Sequence, residues 1–563
     1  MSTNITKQKR EDLLAKIKQI RTFISAAPQD ENTGNLLSYL SELEKDVNGK
    51  KYGLIFEEHH EEIDKVLSAN TPVLAEDKSL FIDNNGQMNF LVEGDNLASL
   101  KLLEKTHNGK VDVIYIDPPY NTGNKDFVYD DLFVDMNDTF RHSKWLSFMQ
   151  KRLFVAKNLL SENGVIFISI DDNEQAPLKE LCNSVFGEHN FLGTITWLKK
   201  RKGSFLSKKI ISLTEYIHVY SKNAENTRLF GGKPDESESQ PIIKRTNKTS
   251  RLSFKAHTVQ TKLKDGIYKA GVYGEKVNPV TLLNECEVKN GFFITDILLE
   301  APFTWSQDFL ENELKKGGCV VINTKNFQPR VFRKNDDSTF KGFSSIIYGV
   351  NINGTNEDAY EELESIFGVK KIFDYSKPTN LIKELLIAST HFNHTATILD
   401  FFAGSGTTGH AVMKLNAEDG GSRKFILCTN NENNICRDIT YERIRRVIDK
   451  DGYAASLKYY KVDYIPISDR MYYEYADELL CHIRELVELE NGINFTGNSE
   501  IGIVLTEDEL DEFMANADIF AKCRKLYMGH DLLPTEEQEQ TLKSYNIEIS
   551  IIPDYYYKDL QEA

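Results

Sequence analysis

Residues 88–222 alternate β-forming and helix-forming runs, and this alternation constrains the fold more than any other feature of the chain. The predicted strands are MNFLVEG, VDVIYID, GVIFISID and YIHVYSK, and the predicted helices between them are SKWLSFMQKRLFVAKNLL and APLKELCNSVF. Such an order predicts an open, mainly parallel sheet covered by helices. The pattern resumes at ATILDFFAGSGTTGHAVMKL and continues into another strand, RKFILCTN. The sequence therefore predicts a doubly wound α/β fold built from two separated stretches of chain.

The remaining segments surround these two stretches. We predict five parts: a helical N-terminal segment (1–70), a first sheet half (71–222), an insert without clear periodicity (223–370), a second sheet half (371–466) and an acidic α/β domain (467–563). No apolar run approaches the roughly 18 residues that span a bilayer, and the polar N-terminus does not resemble a signal peptide. The seven cysteines are scattered and form no C-x-x-C pair. We therefore expect a cytoplasmic protein without disulfides, structural zinc or membrane contact.

Charge is strongly segregated along the chain. The net charge is −17, yet residues 191–270 hold 17 lysines and arginines against 6 acids, whereas residues 471–563 hold 21 acids against 6 bases. A basic region inside an acidic protein is typical of a nucleic-acid contact surface. The alternative is a solvated basic surface without a partner.

The stretch VDVIYIDPPYNTG, residues 111–123, places an acid and an aromatic residue directly after a predicted buried strand. Two prolines end the strand, so Asp117 is expected at the carboxyl edge of the sheet, where open α/β sheets bind ligands. Prolines donate no N–H, which leaves backbone carbonyl groups as acceptors beside the carboxylate. This pair suits an exocyclic amino group, and Tyr120 can stack on the base that carries it. An ordinary Pro-Pro turn is the alternative.

A glycine-rich turn, FFAGSGTTGHAV at residues 401–412, follows another predicted strand. It spells the G-x-G-x-x-G of dinucleotide-binding units, and Glu432 lies 23 residues beyond Gly409, near the usual place of a ribose-binding acid. Alone, the turn favours a nicotinamide-dependent oxidoreductase. That hypothesis leaves DPPYNTG and the basic region without a role.

DPPYNTG and LDFFAGSGTT together resemble the motifs of amino-group DNA methyltransferases, and DPPY before F-x-G-x-G is the order of their beta group. The chain is most similar to the modification (Mod) subunits of type III restriction–modification systems. The similarity runs through EGDNLASLKLL (93–103), HSKWLSFMQKRLFVAKNLLSENGVIFISIDDNE (142–174), FDYSKPTNLIKELL (373–386) and LKYYKVDYIP (457–466). It implies a Rossmann-like methyltransferase sheet with an inserted target-recognition domain, S-adenosylmethionine as cofactor, and methylation of adenine N6 in DNA.

The resemblance also implies roles for individual residues. Asp117 and the Pro118 carbonyl would accept from the target amino group, Tyr120 would stack on the flipped base, and Pro119 would shape the pocket. The implied cofactor-binding residues are Asp400, Phe402, Gly404, Gly406, Thr407, Lys377, Pro378, Thr379 and Asp95. Relatives often carry a ribose-binding acid after the second strand; here CTNNE leaves that role to Glu432 or Asn431. The third glycine, Gly409, is expected to be incidental.

The resemblance places target recognition in the basic insert, where most bases should meet phosphates. The predicted DNA contacts are Lys199, Lys200, Arg201, Lys202, Lys244, Arg245, Lys248 and Arg251. Trp197 is either a second stacking residue or a core residue. The expected partners are double-stranded DNA and a second copy of the chain. A restriction subunit is also expected as the source of ATP hydrolysis, because no Walker-type G-x-x-x-x-G-K-[ST] motif occurs here. The helical N-terminus and the acidic C-terminal domain are candidates for these protein contacts.

Several alternatives remain open at this point. A catalytically idle DNA-binding or scaffold protein would not require the catalytic residues, and cytosine-N4 methyltransferases usually carry Ser at the position of Asp117. No metal site is predicted: the histidines of EEHHEE (57–62) are adjacent and diverge on a helix, and DDNE (171–174) is expected to be an exposed loop. His391 and His394 are expected to be structural.

Overall fold

The structure is a computed structural model that describes most of the chain outside its termini and several loops. The described residues are 5–26, 36–37, 39–41, 43–44, 56–123, 128–129, 132–133, 138–203, 208, 210–274, 279–335, 339–467, 482–495, 498–516, 521–529 and 532–552. They form two compact units. Unit 1 contains 1–226, 348–382 and 395–563, and unit 2 contains 227–347 and 383–394.

A large sheet forms the centre of unit 1. Its neighbouring strands are, in spatial order, Asn70–Glu76, Ala455–Pro466, Gln87–Glu93, Lys424–Thr429, Thr397–Asp400, Val111–Ile116, Leu160–Ile170, Thr214–Ser221 and Phe191–Leu198. The six strands from Ala455–Pro466 to Leu160–Ile170 are parallel to one another. Asn70–Glu76 and Thr214–Ser221 pair with the two ends of this group in the antiparallel direction, and Phe191–Leu198 is antiparallel to Thr214–Ser221. The prediction of a doubly wound, mainly parallel sheet is confirmed.

The two halves of this sheet are interleaved. Strands Gln87–Glu93 and Val111–Ile116 are consecutive in the first half, but Lys424–Thr429 and Thr397–Asp400 of the second half lie between them. Ile398 and Leu399 pair with Val113 and Ile114. Because parallel strands end at the same edge, this pairing brings the DPPY stretch and the glycine turn together.

Apolar faces of the helices complete the core of unit 1. Its buried side chains include Phe90, Ile114, Trp145, Ile166 and Leu399, all almost without exposed surface. The described helices of unit 1 before its C-terminal region include Ile5–Ala26, Glu62–Ala69, Asn96–His107, Arg141–Leu159, Gln175–Phe186, Gly349–Ile352, Asn356–Phe367, Thr407–Asp419, Glu442–Asp451 and Ile483–Asn491. The helix Thr379–Thr390 begins in unit 1 and ends in unit 2.

Unit 2 is built from short strands around its own core. One sheet contains Ser250–Phe254, Ile297–Ala301, Val280–Leu282 and Gly271–Tyr273; the other contains Gly266–Tyr268, Cys286–Lys289, Phe292–Phe293, Val259–Gln260, Cys319–Val321, Arg330–Phe332 and Gln240–Pro241. A helix, Gln307–Lys315, accompanies them. Strands of two to five residues are too short to show an alternating pattern, which is why the sequence lacks periodicity here.

The acidic C-terminal region forms a small α/β element within unit 1. Strands Ile501–Val504, Lys525–Met528 and Glu548–Ile551 make a parallel sheet, with helices Glu507–Ala515 and Glu536–Ser544 between them in the chain. No helix in the described part of the chain has the length and apolarity needed to cross a bilayer.

Candidate active site

The carboxyl edge of the central strands of unit 1 borders a cavity of about 650 Å³, a size within the usual range for small-molecule sites. This cavity is lined by ten of the residues that the sequence predicts for the site: Asp95, Asp117, Pro118, Pro119, Lys377, Asp400, Phe402, Gly404, Thr407 and Glu432. Gly406 and Tyr120 are chain neighbours of lining residues but do not line the cavity themselves, whereas Pro378 and Thr379 line a smaller cavity. The interleaved sheet thus gathers most of the predicted catalytic and cofactor residues in one place.

Asp117 is the centre of a buried ionic cluster. The Lys377 ammonium lies 2.8 Å from its Oδ1 and 2.7 Å from its Oδ2, and the Tyr120 hydroxyl donates to Oδ1 at 2.8 Å. The same hydroxyl donates to Glu215 Oε2 at 3.1 Å, and Glu215 Oε1 accepts from Lys199 at 2.9 Å. Two acids and two bases therefore share one site.

The surroundings shift the ionisation of these groups. Burial raises the pKa of Asp117, and nearby Glu215 raises it further, although the Lys377 ammonium opposes both. Burial also tends to raise the pKa of Glu215, but Lys377 and Lys199 hold it below its ordinary value. Burial disfavours the charge of Lys377, yet the two carboxylates keep its pKa above the ordinary value. The two carboxylates are thus shifted in opposite directions from their ordinary pKa values, upward for Asp117 and downward for Glu215.

The prolines and Tyr120 are fixed by neighbouring side chains. Trp145 Nε1 donates to the Pro119 carbonyl at 2.7 Å, so that carbonyl has a structural partner. The Lys377 ammonium also lies over the Tyr120 ring, 4.9 Å from its centroid. The DPPY turn is held rigidly against the sheet.

The glycine turn follows strand Thr397–Asp400 and leads into helix Thr407–Asp419. Gly404 and Gly406 have φ values of +49° and +76°, which favour glycine. Asp400 ties the turn down, because its carboxylate accepts from the Phe402 N–H at 3.0 Å and from the Thr408 hydroxyl at 2.5 Å. Burial raises the pKa of Asp400 to about 7.

The expectation that Gly409 is incidental is wrong. A Cβ atom at this position would lie 2.8 Å from Ile444 Cδ1, 3.1 Å from Leu427 Cδ1 and 3.2 Å from Phe425 Cε2. Gly409 is buried where helix Thr407–Asp419 packs against strand Lys424–Thr429. The third glycine thus permits close helix–sheet packing.

The segment 376–379 is bound to the glycine turn by hydroxyl contacts and by a buried arginine. Ser376 and Ser405 hydroxyls are 2.8 Å apart, and Thr407 Oγ1 donates to the Lys377 carbonyl at 3.2 Å. Arg443, fully buried, donates to Thr407 Oγ1, Thr379 Oγ1 and Glu362 Oε2, each at 2.9 Å. Arg443 and Glu362 therefore link the two predicted cofactor segments, although neither belongs to a recognised motif.

The opposite wall of the cavity includes residues from the segment before the first strand. Glu61, Glu62 and Ile63 line the cavity, and Glu61 accepts from buried Arg152 at 2.9 Å. Asp95 caps helix Asn96–His107 by accepting from the Leu97 N–H at 2.7 Å. The sequence missed Glu61 and Arg152 because their pairing joins distant stretches of chain.

Glu432 and Asn431 follow strand Lys424–Thr429. Glu432 is exposed and lines the cavity, while the Asn431 side chain accepts from the Arg437 N–H at 3.2 Å. Glu432 is thus the better placed of the two for a ribose hydroxyl, and that role stays a prediction.

The predicted DNA-contact residues occupy different environments. In unit 2, Lys244, Arg245, Lys248 and Arg251 are all exposed, and Arg251 pairs with Glu300. In unit 1, Lys202 is exposed, Lys200 is half-buried and Arg201 pairs with Asp358. Lys199 is separate from this set, since it pairs with Glu215 in the ionic cluster. Trp197 is a core residue, because it is buried and its Nε1 donates to the Gly354 carbonyl at 2.9 Å.

The expectation that DDNE forms an exposed loop is wrong for its last residue. Asp172 and Asn173 are exposed, but Glu174 is completely buried. Glu174 Oε1 accepts from Asn121 Nδ2 at 2.5 Å and lies 2.6 Å from His142 Nδ1. Because Asn121 directly follows DPPY, Glu174 supports the DPPY turn. Among the described residues, no group of three or more His, Cys, Asp or Glu side chains is arranged to hold a metal ion.

The topology and the cavity define a doubly wound α/β protein with a cavity at the carboxyl edge of its sheet, between a carboxylate-bearing turn and a glycine turn. A family model described as DNA methylase matches residues 111–442. This match covers more than half of the chain, and the protein belongs to that family.

Three curated relatives illustrate the similarity. The chain is 34% identical over 404 residues to the Mod subunit of the type III restriction-modification enzyme StyLTI from Salmonella typhimurium, covering 65% of this chain and 58% of that protein. It is 32% identical over 410 residues to the EcoPI Mod subunit of Escherichia phage P1, covering 65% and 62%. It is 33% identical over 342 residues to the type II methyltransferase M.KpnI from Klebsiella pneumoniae, covering 60% and 79%. The matched region spans about three fifths of the length of the two Mod subunits.

Proposed function

We propose that the protein is an S-adenosylmethionine-dependent DNA methyltransferase that modifies the N6 amino group of adenine. The observation that carries this proposal is the pairing of strand Thr397–Asp400 with Val111–Ile116, which places Asp117 and the glycine turn on one cavity. A nicotinamide-dependent oxidoreductase would not require the DPPY turn that carries Asp117. Membership of the DNA methylase family supports the same activity.

The cavity fits the cofactor in chemistry as well as in size. Gly404 lines the cavity together with Thr407, the first residue of helix Thr407–Asp419. Phe402 supplies an aromatic ring, and Glu432 supplies an exposed carboxylate for hydroxyl groups. S-adenosylmethionine, when bound, supplies an activated methyl group. We assign Asp400, Phe402, Gly404, Gly406, Thr407, Lys377, Pro378, Thr379, Asp95 and Glu432 to cofactor binding or to the support of those that bind.

The chemistry required of the protein is to make a weak nucleophile reactive. The lone pair of an adenine amino nitrogen is delocalised into the ring. Asp117 and the Pro118 carbonyl accept its two hydrogens, which draws the nitrogen toward tetrahedral geometry and localises that lone pair. Positioning and fixed electrostatics then supply most of the catalysis. Asp117, rather than the Ser usual in cytosine-N4 enzymes, favours adenine as the target.

A duplex buries the amino group, so the base has to leave the stack before it reaches Asp117. Extrusion costs a few kcal/mol, and stacking on an aromatic ring returns about 1–3 kcal/mol. We assign that stacking to Tyr120 and the shaping of the pocket to Pro119. The Tyr120 ring is held by its hydroxyl contacts with Asp117 and Glu215.

The test of this function uses the variant Asp117→Ala. Loss of the carboxylate should abolish methyl transfer to DNA while leaving cofactor affinity and DNA affinity within a few-fold of the unchanged protein. Tritiated-methyl transfer, calorimetric cofactor binding and fluorescence anisotropy with duplex DNA measure the three quantities. Full activity of Asp117→Ala would refute the mechanism. Single-molecule sequencing of DNA from expressing cells identifies the methylated base and its sequence context.

We further propose that residues 223–370 contain the target-recognition domain. Unit 2 accounts for most of that range, and its exposed bases Lys244, Arg245, Lys248 and Arg251 suit phosphate contacts. Lys200, Arg201 and Lys202 would add contacts from unit 1. Exchanging residues 223–370 with those of a relative should change the methylated sequence, and an unchanged sequence would contradict the assignment.

The similarity to Mod subunits supports a role in a type III restriction-modification system, with a nuclease–helicase restriction subunit and a second copy of this chain as partners in the cytoplasm. M.KpnI, a type II methyltransferase of comparable similarity, represents the alternative of an enzyme that acts without such a subunit. Affinity purification of the chain from its native cells separates these cases. Recovery of a stoichiometric helicase–nuclease supports the first, and recovery of the active chain alone supports the second.

A further inference from the structure

Glu215 is an acidic residue of the candidate active site that belongs to none of the motifs described above. It lies near the start of strand Thr214–Ser221, which runs antiparallel to Leu160–Ile170. An antiparallel strand begins at the edge where its parallel neighbours end. Glu215 therefore reaches the same edge as Asp117, although 98 residues separate them in the chain.

The Glu215 carboxylate competes with Asp117 for the same two donors. The Tyr120 hydroxyl lies 2.8 Å from Asp117 Oδ1 and 3.1 Å from Glu215 Oε2. The Lys377 ammonium lies 2.7 Å from Asp117 Oδ2 and 3.5 Å from Glu215 Oε2. Only about a tenth of the Glu215 side chain is exposed, so these interactions are weakly screened by water.

Counting acceptor sites shows what this competition preserves. A carboxylate offers about four lone-pair sites, two on each oxygen. On Asp117, the described contacts use both sites of Oδ1, for Tyr120 and Lys377, and one site of Oδ2, for Lys377. One site on Oδ2 remains for an amino group in the cavity. Without Glu215, Tyr120 and Lys377 would bind Asp117 more firmly and would withdraw electron density from the remaining site on Oδ2.

The cluster is also balanced in charge. Asp117 and Glu215 are matched by Lys377 and Lys199, whose ammonium lies 2.9 Å from Glu215 Oε1. A sulfonium cofactor adds positive charge beside this cluster, and the amino nitrogen gains positive charge as it is methylated. Neutralising Glu215 would leave one surplus positive charge where the reaction develops another.

We propose that Glu215 is a positioning residue of the methyl-transfer site, which shares Tyr120 and Lys377 with Asp117 and so keeps Asp117 able to accept the amino hydrogen and then its proton. In the step, the amino nitrogen bonds to the methyl carbon, the carbon–sulfur bond breaks, and the N–H proton passes to Asp117 Oδ2. The groups that face Asp117 during its titration are Lys377, Tyr120, Glu215, Tyr115 and Asp400. This proposal rests on the proposed methyltransferase function.

The test compares three variants of the full chain: Glu215→Gln, Lys199→Met and the double variant carrying both. Glu215→Gln should slow single-turnover methyl transfer by about 10- to 100-fold, as expected for one uncompensated charge near the reacting atoms. Lys199→Met removes a base instead and should shift the ionisation of Asp117 in the opposite direction. The double variant restores the charge balance and should recover much of the lost rate.

A direct titration of Asp117 makes the test independent of activity. Infrared difference spectra against Asp117→Asn report the protonation of this carboxyl group as a function of pH. Its pKa should fall in Glu215→Gln, because a like charge is gone, and rise in Lys199→Met. If the unchanged protein transfers no methyl group, the proposed function fails, and the opposed shifts then show only that Glu215 and Lys199 influence the ionisation of Asp117.

Glu225→Gln is the matched control, since Glu225 is an exposed acid beyond the far end of the same strand. It should change neither the rate nor the Asp117 titration. Equal titration curves in the unchanged protein, Glu215→Gln and Lys199→Met would overturn the proposal. The proposal would also be overturned if the double variant transferred methyl groups more slowly than Glu215→Gln while Asp117 titrated as it does in the unchanged protein.

Discussion

Replacing Arg443 by Met should loosen both segments that we propose to bind the cofactor. The buried guanidinium joins Glu362 to the hydroxyls of Thr379 and Thr407, each at 2.9 Å. Met retains a side chain of similar length but removes every one of these donors. The segments at Thr379 and Thr407 would then lose their common anchor, and the Glu362 carboxylate would lose its arginine partner while keeping the hydrogen bond from the Thr379 hydroxyl at 2.7 Å.

The size of the effect follows from burial. Removing one partner of a buried ion pair costs roughly 3–5 kcal/mol. The Glu362 side chain is 24% exposed, so water compensates part of the loss. We therefore expect a cost at the lower limit, about 3 kcal/mol, which corresponds to a roughly 100-fold increase in local opening.

Hydrogen–deuterium exchange measures this opening directly, which is preferable to global unfolding for a chain of more than one unit. Amide protection of peptides that span 376–382 and 404–410 should fall by about two orders of magnitude in Arg443→Met, and cofactor affinity should fall with it. Arg445→Met is the matched control: Arg445 lies on the same helix, is 40% exposed and pairs with Glu442. An exposed pair is worth about 1 kcal/mol or less. Protection in Arg443→Met equal to that of the control would refute this reasoning.

Two further predictions concern packing and pH. Gly409→Ala should destabilise the second sheet half by about 1–3 kcal/mol, because the new Cβ would lie 2.8 Å from Ile444 Cδ1. The melting temperature should fall, and the additional substitution Ile444→Val should partly restore it. An unchanged melting temperature in Gly409→Ala would contradict the packing role. Burial lowers the pKa of His107 from 6.5 to about 4, so its neutral form stabilises the fold fully above pH 6.5, and this contribution disappears as the pH falls toward 4. The loss amounts to roughly 3 kcal/mol at most. His107→Gln should therefore melt with a smaller decrease between pH 7 and pH 5 than the unchanged protein, and parallel decreases would exclude His107 as the cause.

The parts of the site that could be predicted are those carried by short, local patterns. A strand followed by Asp117-Pro-Pro-Tyr120 fixes where the acid lies relative to the sheet, because prolines end the strand at its carboxyl edge. The positive φ values of Gly404 and Gly406 likewise follow from a strand–turn–helix sequence. Both predictions depend on neighbouring residues only.

The parts that could not be predicted depend on contacts between distant stretches. Glu215, Arg443 and Glu362 have no distinctive local pattern, and their roles arise only when the sheet is assembled. Gly409 shows the same limit: it belongs to the G-x-G-x-x-G motif, but the three side chains that crowd this position come from a strand and a helix later in the chain. Glu174 likewise follows a strand in an apparently exposed loop, yet it is buried beneath Asn121.

The sequence by itself determined the class of fold and the chemistry of the two turns, since strand and helix periodicity and the residues around a strand end are local properties. Only the tertiary structure decided that the second half inserts its strands between those of the first, so that Thr397–Asp400 lies beside Val111–Ile116. Strand order is set by the burial of whole faces against one another rather than by any single segment. That order brings Asp117, Lys377 and Glu215 to one edge, where each sets the charge state of the others.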